Sequence, residues 1–211
     1  RIGTETGISF RPSRMTAVRE NMDALLDAGI PFKLNAVAMR GFNDDELPAF
    51  IDYAMRHPID VRFIEFMPMG EGTRWSDSCF WSAPDILDAV KGLVAVAPVE
   101  QEQRNGGPAR LYTLSGPDGP GLGRLGLISP LSSHFCTSCN RLRITSDGAL
   151  RTCLFDDREY RLRNALRHPK LGIEAVRRIV TLATRDKPIG ARLLERRHNA
   201  VAQRRMTAIG G

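Results

Sequence analysis

The sequence comprises 211 residues, 42% of them hydrophobic and 26% charged, and its formal net charge is +6 at pH 7. This length and composition are typical of a globular protein with a sizeable core, built as one domain or as a large and a small one. The lack of a long apolar run excludes a membrane span, and no segment has the pattern of a secretory signal. We therefore expect a cytoplasmic protein, since clustered thiols stay reduced in that compartment.

The positive charge is concentrated in the last quarter of the chain. Residues 1–150 carry 15 Lys and Arg against 18 Asp and Glu, whereas residues 151–211 carry 15 against 6. Such a basic segment can bind nucleic acid, an acidic partner or a phosphorylated small molecule, but it is most often a solvated helical surface. Aromatic residues for base stacking are sparse there, so nucleic acid is a poor candidate partner.

Two helices are predicted in the first quarter of the chain. The first covers residues 15–28, with Ser13 as its N-cap and Gly29 at its C-terminal end. Asn43 and Glu46 form a capping box ahead of the second, whose apolar residues recur every three or four positions.

Strands are predicted between and after these helices, over residues 32–39 and 61–67. Alternation places Lys33, Asn35 and Val37 on one face of the first strand, which is either an edge strand with that face in water or a strand whose polar groups need partners. Helices alternating with strands are typical of a parallel barrel or a doubly wound sheet. In such folds chemistry gathers at the C-terminal ends of the strands.

The second strand carries Arg62 and Glu65 among apolar neighbours and ends at Met67. Met67 therefore lies where such folds place their active sites, although core packing is the ordinary role of a methionine. A loop over residues 71–80 contains Cys79, which we interpret as a buried or loop thiol.

The middle of the chain predicts short elements separated by turns. A helix begins at Ser82 and ends at Lys91, and strands follow over residues 93–99 and 110–114. The segment 101–126 is rich in glycine and proline, and its glycines are interpreted as turns because no phosphate-binding loop motif is present.

Three of the four cysteines fall within eighteen residues, with the spacing C-x2-C-x13-C. Residues 146–148 predict the turn of a hairpin that folds Cys153 back beside Cys136 and Cys139. Three cysteines suit a 4Fe-4S cluster with one iron left open, whereas structural zinc needs a fourth ligand, for which His134 and Cys79 are the candidates. A disulfide with a spare thiol is the third possibility.

Two arginines follow the second cysteine at a spacing of two. On a strand, Arg141 and Arg143 point to one face, while Leu142 and Ile144 point to the other. Two cations beside an open iron are suited to an anionic substrate, whereas their ordinary role is to solvate a strand face. After Cys153 the sequence predicts basic helices, which the Lys187-Pro-Ile-Gly190 stretch interrupts.

Residues 128–154, ISPLSSHFCTSCNRLRITSDGALRTCL, closely resemble the C-terminal cluster motif of the MoaA family, the GTP 3',8-cyclases of molybdenum cofactor biosynthesis. Three further stretches resemble the same family in the same order: KLNAV at 33–37, VRFIEFMP at 61–68 and MTAIGG at 206–211. The resemblance implies an α/β fold in which the C-terminal part of an incomplete TIM-type (β/α) barrel, residues 1–75, precedes a small α+β subdomain, residues 76–211. That subdomain carries an iron-sulfur cluster and binds GTP.

The resemblance also implies a radical reaction. One 4Fe-4S cluster cleaves S-adenosylmethionine, and the resulting 5'-deoxyadenosyl radical abstracts the ribose 3' hydrogen of GTP, so that C3' joins C8 of the guanine. A second cluster holds the guanine. The resemblance assigns three roles to residues of this chain. The cluster ligands are Cys136, Cys139 and Cys153, and the GTP-binding residues are Lys33, Arg141, Leu142 and Arg143. Met67 lies at the S-adenosylmethionine site, and Arg62, Asn35, Gly210 and Gly211 are further candidates for the active site.

Two features depart from the family pattern. The C-x3-C-x2-C run that holds the S-adenosylmethionine cluster is lacking, so we expect the chain to be inactive alone. Either the chain is a fragment whose upstream segment binds that cluster and S-adenosylmethionine, or a partner supplies this segment, or the chain is a relic of the enzyme. Ala191 and Arg192 also follow Gly190 where the family usually has a histidine. A homodimer, and a downstream cyclic pyranopterin monophosphate synthase as pathway partner, are further expectations from the family.

Two alternatives remain open from the sequence. The first is a non-catalytic module in which His134 joins the three cysteines around structural zinc and the basic quarter binds RNA or an acidic partner. The second is a different radical enzyme with an auxiliary cluster, against which the Asn-Arg-Leu-Arg run and the final Gly210-Gly211 argue.

Overall fold

A computed structural model describes residues 12–70, 73–100 and 107–196 of the chain. Gly210 and Gly211, which the resemblance assigns to the active site, lie outside the described residues. The helices are α1 (Pro12–Asp27), α2 (Leu47–Arg56), α3 (Ala83–Lys91), α4 (Leu162–Arg167), α5 (Gly172–Arg185) and α6 (Gly190–Arg196). The strands are β1 (Lys33–Ala38), β2 (Asp60–Glu65), β3 (Ala95–Pro98), β4 (Arg110–Gly116), β5 (Gly119–Ile128), β6 (Arg143–Ile144), β7 (Ala149–Arg151) and β8 (Tyr160–Arg161).

The larger sheet has five strands in the order β1-β2-β5-β4-β3. Strands β1, β2 and β5 are parallel, and the β4–β5 hairpin and β3 continue the sheet in antiparallel fashion. This mixed sheet with helices packed on it confirms the predicted α/β class.

One face of this sheet forms the main hydrophobic core. Phe63 of β2 and Leu125 of β5 pack there with Ile51 of α2 and Ile86 of α3, and Trp81 is 4% exposed in the same cluster. The helices cover this face because α2 and α3 each turn an apolar stripe toward it. The opposite face carries the polar side chains described below.

Local signals explain where two of the helices begin or end. Helix α1 ends as predicted at Gly29, whose φ of +64° is one that glycine adopts at no steric cost, and the Ile30 N–H donates to the Leu25 carbonyl at 2.9 Å. Ser13 lies inside α1 and is not its N-cap, because the helix already includes Pro12. Ser82 caps α3 as predicted, its hydroxyl accepting from the Asp85 N–H.

The predicted capping box of α2 is wrong. Glu46 is the N-cap residue and makes no side-chain cap hydrogen bond, and a proline occupies the first turn. Asn43 instead closes the loop after β1, because its Oδ1 accepts from the Met39 N–H at 2.9 Å and its Nδ2 donates to the Val37 carbonyl at 2.9 Å.

The interpretation of the glycines of segment 101–126 as turns is also wrong for Gly121, Gly123 and Gly126, which lie inside β5. A Cβ on Gly121 would lie 2.6 Å from the Met55 sulfur, one on Gly123 would lie 2.7 Å from the Ala54 carbonyl oxygen, and one on Gly126 would lie 2.7 Å from Arg62 Cγ. These glycines therefore allow β5 to approach α2 and β2 closely.

The chain divides into two compact units. Unit 1 comprises the described residues of Arg1–Phe66 and Ser78–Ser132, and unit 2 those of Met67–Asp77 and Ser133–Gly211. This division differs from the predicted domains 1–75 and 76–211, because β5 pairs with β2 and so brings the middle of the chain into the first unit. No helix among the described residues is long and apolar enough to cross a membrane.

Unit 2 contains a three-stranded antiparallel sheet in the order β6-β7-β8, together with α4, α5 and α6. The buried Arg151 of β7, which is 1% exposed, pairs with Glu159 at 3.4 Å and Asp157 at 3.6 Å and donates to the Asp156 carbonyl. Its guanidinium therefore ties the loop after the third cysteine back to the sheet.

Candidate functional site

The hairpin that the cysteine spacing predicts is present as β6 and β7. Arg143 pairs with Arg151 and Ile144 with Leu150, and Gly148 has a φ of +82° in the turn. The Thr145 hydroxyl accepts from the Ala149 N–H at 2.9 Å and donates to Asp147 at 2.6 Å, which fixes the turn. The chain consequently reverses between the second and third cysteines.

The three clustered cysteines, which flank the β6–β7 hairpin, all belong to unit 2. Cys136 and Cys139 bracket a single 3-10 turn, in which the Cys139 N–H donates to the Cys136 carbonyl at 3.4 Å. All four cysteines of the chain are free thiols of intermediate exposure, so no disulfide joins them. The disulfide alternative therefore has no counterpart in this structure.

The surroundings of Cys139 favour its thiolate form. Burial by itself raises its pKa, but hydrogen bonds from the Arg141 backbone and from Lys187 outweigh burial, so the pKa lies below its usual value. Lys187 Nζ lies 3.3 Å from Cys139 Sγ and also donates to the Cys139 and Arg141 carbonyls at 2.7 and 2.9 Å. The contact between Lys187 and Cys139 could not be predicted from the sequence, because the two residues lie 48 positions apart.

Cys153 has the opposite electrostatic character. Burial raises its pKa, and the negative charges of Cys136, Asp156 and Cys139 raise it further, against a hydrogen bond from the Phe155 backbone. Cys136 and Cys139 are thus close enough to act electrostatically on Cys153. A Cβ on Gly190 would lie only 2.8 Å from Cys153 Sγ, so this thiol sits in a cradle that a side chain would fill.

The donor set suits an iron-sulfur cluster by its chemistry. Three reduced thiols, one of them favoured as a thiolate and one in a glycine-lined cradle, are the ligands that such clusters use. Within the described part of the chain, no group of three His, Cys, Asp or Glu side chains is arranged to hold a metal ion. His134 is exposed, and Cys79 belongs to unit 1.

The exposure of the segment after Cys139 alternates as a strand requires. Arg141 and Arg143 are half-buried, whereas Leu142 and Ile144 are 40% and 55% exposed. The Arg141 guanidinium stacks over the Phe135 ring, 4.7 Å from its centroid. Burial and the neighbouring Arg141 lower the pKa of Arg143, while Cys139 and Cys153 oppose this shift, so Arg143 lies within electrostatic reach of the two thiols.

The remaining predicted residues lie mostly on the polar face of the sheet in unit 1. Lys33 and Asn35 of β1 are exposed and stand in register with Asp60 and Arg62 of β2, so all four side chains share one face. Asp60, 4% exposed, bridges two arginines, accepting from Arg62 Nη2 at 2.8 Å and from Arg124 Nε at 2.8 Å. Met67 follows β2 and belongs to unit 2.

Glu65 has a structural role that the sequence did not predict. From the sequence it is only a charged residue among the apolar neighbours of a strand. It is 1% exposed, and its carboxylate accepts from the Ala83 N–H at 2.8 Å, the Leu131 N–H at 2.9 Å and the Ser132 N–H at 3.0 Å, and from the Ser132 hydroxyl. Glu65 therefore anchors the start of α3 and the segment that leads from β5 to the cysteines.

The family model described as Molybdenum Cofactor Synthesis C matches residues 59–193. The chain belongs to this family. The matched range includes the three clustered cysteines, both arginines of the hairpin, Met67 and Lys187, whereas Lys33 and Asn35 precede it. The resemblance drawn from the cysteine motif is thereby confirmed.

Curated relatives extend the similarity over most of the chain. A protein of Alkaliphilus oremlandii (strain OhILAs) named GTP 3',8-cyclase is 42% identical over 203 residues, which cover 95% of this chain and 59% of that protein. A protein with the same name from Syntrophomonas wolfei subsp. wolfei (strain DSM 2245B / Goettingen) is 40% identical over 84% of this chain and 53% of its own length. Another, from Alkaliphilus metalliredigens (strain QYMF), is 38% identical over 96% of this chain and 62% of its own length. The chain thus spans somewhat over half of the length of these relatives.

Proposed function

We propose that the chain is the C-terminal part of a GTP 3',8-cyclase, which converts GTP to (8S)-3',8-cyclo-7,8-dihydroguanosine 5'-triphosphate in molybdenum cofactor biosynthesis. The observation that supports the proposal is a short segment of unit 2 with three free thiols, in which Cys136 and Cys139 act electrostatically on Cys153 and two half-buried arginines lie between the second and third cysteines. This arrangement occurs in a chain of the Molybdenum Cofactor Synthesis C family whose curated relatives bear that name.

In this proposal Cys136, Cys139 and Cys153 hold a 4Fe-4S cluster in an iron-sulfur subdomain. Once bound, the cluster supplies one iron without a protein ligand, to which the guanine of GTP can coordinate. The protein's contribution is to keep the three thiolates together and to place cations beside them. The pairing of β6 with β7 would keep the thiolates together. Arg143 would supply a cation beside them, since it lies within electrostatic reach of two of the thiols.

Arg141, Leu142 and Arg143 form the proposed contact with the nucleotide. Two guanidinium groups on one side of a strand can each donate two parallel hydrogen bonds to phosphate oxygens, which suits a triphosphate better than a single point charge does. The stacking of Arg141 on Phe135 orients one of these groups before any ligand arrives. Less ordering is then needed when the nucleotide binds.

The polar sheet face of unit 1 supplies the other proposed contacts. We interpret β1, β2 and β5 as strands of an incomplete TIM-type barrel whose interior face carries Lys33, Asn35 and Arg62. The Asp60 carboxylate fixes the Arg62 guanidinium, while Lys33 remains exposed on the same face for the phosphate end of GTP. Met67, directly after β2, would line the S-adenosylmethionine site, and Gly210 and Gly211 would reach the same active site.

The complete enzyme requires parts that this chain does not contain within its 211 residues. The radical reaction needs S-adenosylmethionine and a second 4Fe-4S cluster, bound through an upstream C-x3-C-x2-C segment. We also propose that the enzyme is a homodimer and that cyclic pyranopterin monophosphate synthase is the next enzyme of the pathway. We propose a cytoplasmic location, since the clustered thiols require a reducing compartment.

The test uses the full chain, purified anaerobically and reconstituted with iron and sulfide. We expect about four irons per chain and a change in the cluster spectrum when GTP is added. Arg141→Ala should weaken GTP binding by roughly 10-fold or more, because it removes charge-assisted hydrogen bonds, while the iron content stays unchanged.

Arg177→Ala is the matched control, because the Arg177 side chain is 71% exposed on α5 and its guanidinium donates to Glu174 of the same helix. Loss of iron from the Arg141 variant with unchanged GTP affinity would contradict the assignment of that arginine. One zinc per chain and no spectral response to GTP would favour the zinc-binding module instead.

A further inference from the structure

The Lys187 ammonium group makes three contacts with the segment that carries the second cysteine. It donates to the Cys139 carbonyl at 2.7 Å and the Arg141 carbonyl at 2.9 Å, and it lies 3.3 Å from Cys139 Sγ. A lysine ammonium has three N–H donors, so one side chain uses its whole donor capacity on this segment. Its position therefore fixes the backbone on both sides of Asn140 as well as the sulfur.

Three residues later, Gly190 lies against the third cysteine. A Cβ added there would meet Cys153 Sγ at 2.8 Å and the Phe155 ring at 3.0 Å. The backbone of Gly190 is not among the positive-φ glycines, so conformational freedom does not explain the residue. Glycine is needed at position 190 because Cys153 Sγ occupies the space that a side chain would fill.

The four residues from Lys187 to Gly190, which we name the 187–190 turn, connect α5 to α6 and are anchored at both ends. The Lys187 N–H donates to the Thr184 carbonyl of α5 at 3.3 Å, and the Ile189 carbonyl accepts from the Arg192 N–H of α6 at 3.0 Å. Pro188 has a fixed φ and no N–H, so it stiffens the link between the two contacts. The turn can thus hold the two cysteine arms at a set separation.

A lysine that donates to backbone carbonyls at a helix end is often only a C-terminal cap. Two observations favour a more specific role here. The carbonyls belong to the cysteine segment and not to α5, and the same short turn contacts both arms of the cysteine site, through Cys139 and through Cys153.

We propose that the 187–190 turn is the outer support of the three-cysteine site, in which Lys187 is a positioning residue for Cys139 and Gly190 makes room for Cys153. This inference rests on the cluster of the proposed function. Groups that orient metal ligands from outside commonly change metal affinity by about 10- to 100-fold when they are removed. The hydrogen bond and positive charge of Lys187 at a ligand sulfur also favour the more reduced, more negative state of a cluster.

The experiment compares the reconstituted full chain with Lys187→Met, Lys187→Arg and Lys170→Met. Lys187→Met keeps the aliphatic stem and loses the ammonium, Lys187→Arg keeps the cation, and the exposed Lys170 is a matched control in unit 2. Iron release to excess 2,2'-bipyridine and the midpoint potential of the cluster, followed by electron paramagnetic resonance, are measured for each. Circular dichroism of each apo chain checks that it is folded.

We expect Lys187→Met to release iron about tenfold faster than the unchanged chain and to have a more negative midpoint potential. Lys187→Arg should recover much of the potential, and Lys170→Met should match the unchanged chain in both measurements. Gly190→Ala, which leaves Lys187 in place, should also accelerate iron release because its methyl group displaces Cys153 Sγ.

An unchanged release rate and potential in Lys187→Met would overturn the inference while leaving the proposed function intact. Faster release without a shift in potential, and without recovery by Lys187→Arg, would also overturn it, since Lys187 would then serve general folding only. Failure of the unchanged chain to assemble a four-iron cluster would overturn the proposed function and this inference together.

Discussion

At the scale of single residues, Cys139 and Cys153 differ in their surroundings although they flank the same hairpin. Cys139 has a lowered pKa because hydrogen bonds from the Arg141 backbone and Lys187 outweigh its burial. Cys153 has a raised pKa because burial is reinforced by nearby negative charge. The thiolate is the reactive form of cysteine, so the two thiols should be distinguishable by chemistry.

We expect Cys139 to be alkylated by iodoacetamide faster than Cys153 near neutral pH in the reduced, metal-free chain. A lowered pKa keeps Cys139 deprotonated to lower pH, so its rate should rise at lower pH than that of Cys153, whose thiolate forms only at higher pH. Mass spectrometry of the labelled peptides measures both rates. In urea the difference should vanish, and faster labelling of Cys153 in the folded chain would contradict the described environments.

At the scale of elements, strand β5 depends on close approach to its neighbours. Gly123 faces the carbonyl oxygens of Ala54, His57 and Ile59, where the end of α2 leads into β2, and a Cβ would lie 2.7 Å from the Ala54 carbonyl oxygen of α2. The strand thereby packs directly on backbone. Any side chain at this position must separate β5 from α2.

We expect Gly123→Ala to lower the free energy of unfolding by about 2–3 kcal/mol, because an inserted methyl group overpacks a fixed backbone contact. Gly92→Ala is the matched control: its Cβ meets only the Ala89 and Asp88 carbonyls, the nearer at 3.3 Å, and we expect a change within about 0.5 kcal/mol. Urea unfolding of the metal-free chain, followed by tryptophan fluorescence, to which the buried Trp81 contributes, measures both. Equal stabilities for the two variants would contradict the packing described for β5.

The glycines of β5 also show which elements sequence reasoning can predict. Gly29, Ser82 and the turn after Thr145 act on residues a few positions away, and the prediction from sequence is correct for each. Gly123 acts on α2, roughly seventy residues earlier in the chain, and its neighbours in the sequence contain no sign of that contact.

The same reason explains the other differences. Asn43 has the spacing of a capping residue, but the loop after β1 offers its side chain two backbone partners instead. The three cysteines and the two arginines are candidates from the sequence because their spacing is local. Lys187 was interpreted only as part of a helix break, because its partner Cys139 lies 48 residues away.

At the scale of the whole molecule, the candidate residues are distributed over two compact units. Lys33, Asn35 and Arg62 belong to unit 1, and the three clustered cysteines and both hairpin arginines belong to unit 2. Binding at deprotonated ligands stabilises the structure that presents them. Metal loading should therefore change local stability unevenly along the chain.

We expect cluster assembly to slow amide hydrogen exchange mainly in residues 133–167, which contain the cysteines and the strands of unit 2. Peptides from β4 and β5 serve as the internal reference, because none of their residues is a proposed ligand. Hydrogen exchange followed by mass spectrometry, with and without the cluster, measures the change. Equal slowing in both regions would show instead that the two units unfold as one.

The parallel pairing of β2 with β5 also bears on the order of events during synthesis. Val61 lies opposite Leu125, so the larger sheet closes only after the chain has been made as far as β5. Unit 1 ends at Ser132, just ahead of the first of the clustered thiols, Cys136. Since chains fold from the N-terminal side as they emerge from the ribosome, we expect a finished sheet to be in place before these thiols appear. For the proposed cluster, iron binding would then be a late step of maturation that follows the folding of the larger sheet.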